Sequence, residues 1–223
     1  MMINKNLNIQ DFRSQFNIEH RLQIRNFLDK KFANEILNDL ELLDRNQQWK
    51  ADRFGNPRFY DENRGAGYSP GYGSYSYDSY PLGDSKKGRS RADGARPKSL
   101  ATLRRFLNSK ECARFVSEAT GLAITKNAGQ VFASCYRPGD FCSLHDDFGE
   151  ERRVTFVLNL TKNWIVHWGG CLVFLNSSGN EIIHTVTPEF NSLSLFRVPF
   201  PHAVLPVSNY CQRPRYAISG WFF

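Results

Sequence analysis

Five histidines are spread over the 223 residues of this chain, and two of them stand where they could do chemistry. His145 is followed two positions later by Asp147, and alternation along an extended strand puts side chains two apart on the same face. His202 lies in a later strand-like run, and thirteen residues beyond it Arg215 opens the terminal run RYAISGWFF. Two imidazoles and one carboxylate on one triangular face make a mononuclear iron(II) site, with the opposite positions open for a chelating cosubstrate and for dioxygen. An arginine drawn into a protein interior needs an anion, and its planar fork matches a carboxylate through two parallel hydrogen bonds. The distal carboxylate of 2-oxoglutarate, whose keto-acid end would chelate the iron, is such an anion. Each signal alone is weak, because buried or capping His and Asp residues, and arginines facing water at a strand start, are commonplace. Their order and position along the chain strengthen them. His20, His167 and His184 fall on no ligand position and read as ordinary surface or core histidines. Arg152 and Arg153, just after the histidine–aspartate motif, read as a solvated charged turn in preference to a site for an acidic substrate.

The elements that must position these residues are readable from periodicity. RLQIRNFL reads as a short strand, followed by a helix beginning near Asp29 with Phe32, Ile36, Leu40 and Leu43 at helical spacing. Two further helices are expected between Ser99 and Gly121, the second opening at Ser109, turning Cys112, Phe115, Val116 and Ala119 inward and stopping at Gly121. After Gly121 come eight short runs parted by turn signals: GQVFASCY, CSLHD, RVTFVLNL, GGCLVFL, EIIHTV, NSLSLFRV, HAVLPV and RYAISGWFF. That spacing fits a sandwich or a jelly roll, with the preceding helices packed outside one sheet, an α+β chain. Between Trp49 and Lys98 the composition shifts to Gly, Ser, Tyr, Pro and charge, which reads as a long loop, either a substrate flap over residues 65–95 or a surface insertion. The chain is expected to form one domain over residues 1–223, with a strand, helices and the Tyr/Gly-rich loop in 1–120 and the catalytic core in 121–223.

Composition sets the outer bounds. No long apolar run is present, so no membrane span is expected, and MMINKNLNIQDFRSQF lacks the uninterrupted apolar stretch of a signal peptide, which makes the cytoplasm the expected location. Five cysteines without a C-x-x-C pair argue against a disulfide framework or a structural zinc site, and read as reduced and mostly buried. A formal charge of +7 suits an acidic partner, with nucleic acid contacted only indirectly, and equally suits a basic solvated surface. No feature of the sequence sets the oligomeric state.

The stretch CYRPGDFCSLHDDFGEERRVTFVLNLTKNWIVHWGGCLVFL, followed by PEFNSLSLFRV, HAVLPV and RYAISGWFF, resembles the prolyl hydroxylase branch of the iron(II)/2-oxoglutarate-dependent dioxygenases. The HDD, RR, LNLTKNW, GG and ISGWF elements are most similar to the group that hydroxylates a proline in a ribosomal protein. CYRPGDF and RYAISGWFF also look like the oxygen-sensing prolyl hydroxylases. The resemblance covers about the last hundred residues and implies a double-stranded β-helix, or jelly-roll, core. It implies His145, Asp147 and His202 as iron ligands, Arg215 on 2-oxoglutarate, and Tyr136 lining the iron and cosubstrate pocket. Asp146 fills the variable middle place of the motif, with an alternative register still open, and Arg213, outside the aligned strand, is the rival to Arg215. Asn159 stands where related enzymes carry a tyrosine that helps hold the cosubstrate; its amide can still donate a hydrogen bond. Trp164 and the Gly169–Gly170 pair match the family pattern and read as structural. The implied reaction uses Fe(II), 2-oxoglutarate and O2 to hydroxylate a prolyl residue of a protein or peptide, a translation component being one candidate. The alternatives at this point are a hydroxylase of a free or carrier-bound amino acid or other small molecule, and a non-catalytic RNA- or protein-binding module on the same fold. Asp147 argues against a halogenase, which would need the carboxylate position vacated for chloride.

Overall fold

The computed structural model describes residues 2–55, 73–82, 97–125, 128–149 and 151–223. Its N-terminal part runs α1 (Ile9–Glu19), β1 (Arg21–Ile24), α2 (Lys30–Arg45), β2 (Lys50–Phe54), β3 (Tyr75–Pro81), α3 (Lys98–Leu107) and α4 (Lys110–Thr120). The strands that follow are β4 (Gly129–Tyr136), β5 (Phe141–His145), β6 (Val154–Asn159), β7 (Leu172–Leu175), β8 (Ile182–Val186), β9 (Ser192–Arg197), β10 (His202–Val204) and β11 (Arg215–Phe222). All eight strand-like runs after Gly121 are strands. They join β1 and β3 in one antiparallel sheet of order β1-β9-β6-β11-β4-β3-β5-β10-β7-β8, with β2 paired to β3. The sheet curls into a nearly closed jelly roll, and the helices lie outside it.

The helix ends follow local chemistry. Asp29 caps α2 by accepting from the backbone N–H groups of Lys31 and Phe32, and Ser109 caps α4 by accepting from that of Cys112. Gly121 ends α4 in the left-handed conformation. Helix α1 was not expected from periodicity, because Phe16 is its one fully buried side chain and no apolar stripe marks it. Strands β2 and β3 correct the reading of residues 49–98 as a loop. Tyrosine is a good strand former, and in YSYDSYP it alternates with Ser and Asp where aliphatic residues would have signalled a strand. Residues 56–72 and 83–96 of that segment, with most of the expected 65–95 flap, lie outside the described residues.

Period-two alternation divides the apolar residues into two main clusters. Val131, Ala133 and Cys135 of β4, Val154, Phe156 and Leu158 of β6, and Tyr216, Ile218 and Phe222 of β11 face the helices, packing with Ile36, Leu40, Leu103 and Val116. The alternate residues Phe132, Tyr136, Val157 and Ala217 face into the jelly roll with Tyr77, Leu172 and Phe174. Strands covered on both faces read as continuous apolar runs, which is why β6 is buried along its whole length.

One buried side chain ties the N-terminal elements to the sheet. Asn191, before β9, accepts from the Leu28 N–H at 2.9 Å and donates to the Leu28 carbonyl at 2.8 Å. Its own N–H bonds the carbonyl of Asn159, and its φ of 60° is a conformation asparagine tolerates better than most residues. Asn191→Ala leaves two buried backbone groups unpaired and should lower the unfolding free energy in urea by about 3 kcal/mol. Asn191→Gly relieves the backbone strain alone and should recover roughly 1 kcal/mol of that loss.

Candidate metal centre

Strand β10 lies antiparallel between β5 and β7 with His202 directly opposite His145. Directly opposed residues share a face, and the two imidazoles meet with ring centroids 4.1 Å apart. His145 Nδ1 lies 2.8 Å from the Ser143 carbonyl and His202 Nδ1 lies 2.7 Å from the Phe200 carbonyl. A carbonyl can only accept, so each Nδ1 carries a proton and each Nε2 is the atom left to ligate.

Asp147 reaches the same point by a route other than strand alternation. Strand β5 ends at His145, and Asp147 sits beyond it in the left-handed region, φ 60°. The turn swings its carboxylate back so that one oxygen lies 3.5 Å from His145 Nε2 and the other 3.5 Å from His202 Nε2. Thr155 Oγ1 donates to Asp147 Oδ2 at 2.8 Å. One ligand atom from each of the three residues lies within 4.8 Å of the others, a spacing that a single metal ion can bridge.

The charges suit the same role. Burial and the neighbouring His145 push His202 down to about 4, so it is neutral near pH 7. At His145 burial lowers the pKa, but Cys142 and Asp147 outweigh it and raise the group to about 9. Burial would raise the Asp147 carboxyl, yet His202, His145 and the Thr155 hydrogen bond reverse this and hold it below its ordinary value. The cluster therefore presents a carboxylate between one imidazolium and one imidazole, and a metal ion would take the proton's place.

These three residues line a cavity of about 290 Å³ with Tyr75, Tyr77, Phe132, Tyr136 and Trp221. The aromatic rings form a continuous wall: Tyr75 to Tyr77 at 5.0 Å, Tyr77 to Tyr136 at 5.0 Å, Tyr77 to Phe132 at 6.2 Å and Phe132 to Trp221 at 6.2 Å. Tyr136 lines the cavity; Arg215 and Asn159 do not. Arg215 lies behind it, with its guanidinium 4.9 Å over the Tyr136 ring. It is 1% exposed, and among the described residues its one hydrogen-bond partner is Asn159, Nη2 donating to Oδ1 at 3.0 Å. Burial lowers the pKa of this charge. Among the described residues Arg215 Nε and Asn159 Nδ2 are buried with no acceptor, a costly state for polar donors that an added acceptor would relieve.

The structure separates the rival residues. Arg213 is exposed and lines a different cavity, with Glu41 and Lys162, between α2 and the strand connections. Asp146 bonds the Phe148 N–H and is not among the converging ligands. His20, His167 and His184 are exposed and lie outside the cluster. A Cβ at Gly170, whose φ is 64°, would press on the Arg215 and Trp164 side chains at 3.2 Å, while the Trp164 indole bonds the Gly169 carbonyl. Arg152 departs from expectation, since its guanidinium is turned inward over Trp221; Arg153 is exposed. Thr155, Trp221 and Tyr77 were not singled out from sequence. Thr155 stands four residues before Asn159, and Trp221 six after Arg215, so alternation from either predicted residue leads to them.

Residues 131–223 match the model of the 2OG-Fe(II) oxygenase superfamily. The mouse (Mus musculus) prolyl 3-hydroxylase OGFOD1 is 27% identical over 130 residues, which are 56% of this chain and 23% of that protein. The chain thus spans about a quarter of the length of that relative. A Pseudomonas putida prolyl-4-hydroxylase has the same fold, with a TM-score of 0.66 at 19% identity over 96% of this chain and 98% of its own. A prolyl hydroxylase solved with a hypoxia-inducible-factor peptide fragment from Trichoplax adhaerens superposes with a TM-score of 0.65 at 22% identity, over 99% and 94% of the two chains.

Thr155→Val keeps the shape of the wall and removes the hydrogen bond to Asp147. Its cobalt(II) affinity, followed by visible absorption, should fall roughly 10- to 100-fold, with the metal-free protein melting within a few degrees of wild type.

Proposed function

We propose that this chain, whose residues 131–223 match the 2OG-Fe(II) oxygenase model, is an iron(II)/2-oxoglutarate-dependent hydroxylase that acts on a prolyl residue of a protein or peptide, with a translation component as the first candidate. The observation that carries this reading is the convergence of His145, Asp147 and His202 at an aromatic cavity, backed by a buried arginine with no carboxylate partner among the described residues. In the proposed assignment the three residues hold iron(II), and Arg215 receives the distal carboxylate of 2-oxoglutarate. The donor set fits iron(II), two neutral-nitrogen ligands and one carboxylate with the remaining positions free. The buried Arg215 Nε, which has no acceptor among the described residues, suits a carboxylate oxygen.

Bound iron(II), with 2-oxoglutarate and dioxygen, supplies the oxidising power that replaces a C–H bond by C–OH. The chain's own part is to hold and to aim. The Ser143 and Phe200 carbonyls fix which ring nitrogen faces inward, and Thr155 fixes the carboxylate. Tyr75, Tyr77, Phe132 and Trp221 exclude water and offer flat faces to a saturated ring. Tyr136 packs against the cation of Arg215. The peptide complex of the similar Trichoplax protein supports a peptide partner, and the prolyl 3-hydroxylase likeness supports proline as the target.

A non-catalytic module has no use for three ligand atoms aimed at one point. Strands from both sides of residue 120 share one sheet, which supports residues 1–223 as one working unit. Among the described residues no helix is long and apolar enough to cross a membrane, and five free cysteines support a reducing compartment, the cytoplasm.

Anaerobic addition of iron(II) and 2-oxoglutarate should produce the visible metal-to-ligand charge-transfer band. Arg215→Ala should weaken 2-oxoglutarate binding about 100-fold, the worth of a charge-assisted pair, and Arg215→Lys should recover only part. With oxygen admitted, a prolyl peptide should gain one oxygen atom by mass spectrometry. Oxidation of free amino acids alone would transfer the proposal to small molecules, and a folded protein without the band would overturn it.

A further inference from the structure

The connection from β5 to β6 carries Asp147 outside any strand pairing, in a backbone conformation that costs an L-residue roughly 1 kcal/mol, so something beyond the sheet must hold it. We infer that Arg152 is a positioning residue for the metal centre, clamping the Asp147 backbone and the Trp221 indole from outside the cavity. The inference rests on the metal assignment proposed above.

Among the described residues the Arg152 side chain contacts the ligand loop, the wall beside it and β4. Nη1 donates to the Asp147 carbonyl at 3.2 Å, and Nη2 to Gln130 Oε1 at 3.3 Å, which anchors the guanidinium to β4. The guanidinium carbon lies 3.8 Å over the Trp221 ring, close enough for a cation–π contact. The backbone N–H of Arg152 returns to the Gly149 carbonyl. The stem nests on Gly149 so closely that a Cβ there would stand 3.0 Å from Arg152 Nε. Among the described residues Arg152 makes no ion pair; its charge is spent on a carbonyl, an amide and a ring.

These contacts close a circuit. Trp221 pairs in register with Thr155, Thr155 donates to the Asp147 carboxylate, and Arg152 joins Trp221 to the Asp147 carbonyl. The ligand is thereby held at both ends, by Thr155 at the carboxylate and by Arg152 at the main chain. The planar fork does this because it can donate in two directions while lying flat on an indole, which a lysine ammonium cannot. Arg153 supplies an internal control. It is the adjacent residue with the same charge, it is exposed, and among the described residues it makes main-chain bonds to Phe222 and Val198.

The test is cobalt(II) titration of the full chain, read by the affinity and by the shape of the visible bands at saturation. Arg152→Met and the milder Arg152→Lys should each lower affinity roughly 10- to 100-fold and alter the bands, while Arg153→Met stays within about twofold of wild type. Thermal melting of the metal-free variants reads the fold separately, and Arg152→Lys carries the test if Arg152→Met does not fold. Wild-type affinity and bands in the folded Arg152 variants overturn the inference, as does an equal loss in Arg153→Met, which would mark a plain charge effect. Wild-type protein that takes up no cobalt overturns the metal assignment itself, and the inference with it.

Discussion

The antiparallel pairing of β5 with β10 is the constraint from which the site follows. It sets His145 opposite His202, and because residues opposed across a ladder point the same way, two imidazoles from positions far apart in sequence share one volume. A one-residue slip would turn either ring to the other face. The pairing is held from both sides, β10 by β7 and β5 by β3. The Tyr-rich strand is thus part of the candidate metal centre's foundation as well as its wall.

Arg215 is the costly element. A guanidinium away from water with one amide oxygen as its hydrogen-bond partner among the described residues is an unfavourable arrangement for stability alone. The surroundings are nevertheless shaped to hold it: the Tyr136 ring lies against the cation, Gly170 leaves room for its stem, and Asn159 turns its oxygen toward it. Orienting Asn159 in this way leaves its amide N–H pointing elsewhere and unused. Stability is being given up where an acidic ligand would restore it.

Much of this was legible in the sequence, and the misses have physical causes. Strands buried along nearly their whole length, such as β6 and β9, advertise themselves as apolar runs, while the less buried β5 and β8 were marked by the turn signals on either side of them. Helices α2 and α4 carry Asp and Ser caps, so their starts could be placed. Helix α1 buries a single phenylalanine, and β3 is built of Tyr, Ser and Asp, so neither carries the aliphatic periodicity by which elements are usually recognised. Asp147 was rightly grouped with His145 on a strand rule that does not apply, since a left-handed turn makes the juxtaposition. The inward turn of Arg152 depends on Gly149, Gln130 and Trp221 meeting in three dimensions, which no local pattern records.

The division of each central strand between two apolar clusters has a consequence for how such a chain can change over time. Val154, Phe156 and Leu158 face the helices, while Thr155, Val157 and Asn159, interleaved with them, face the interior. One ribbon of backbone thus carries two independent texts, one read by the helix-side core and one by whatever enters the cavity. Lineages can rewrite the second, letter by alternate letter, to accept new guests while leaving the scaffold's own wording untouched.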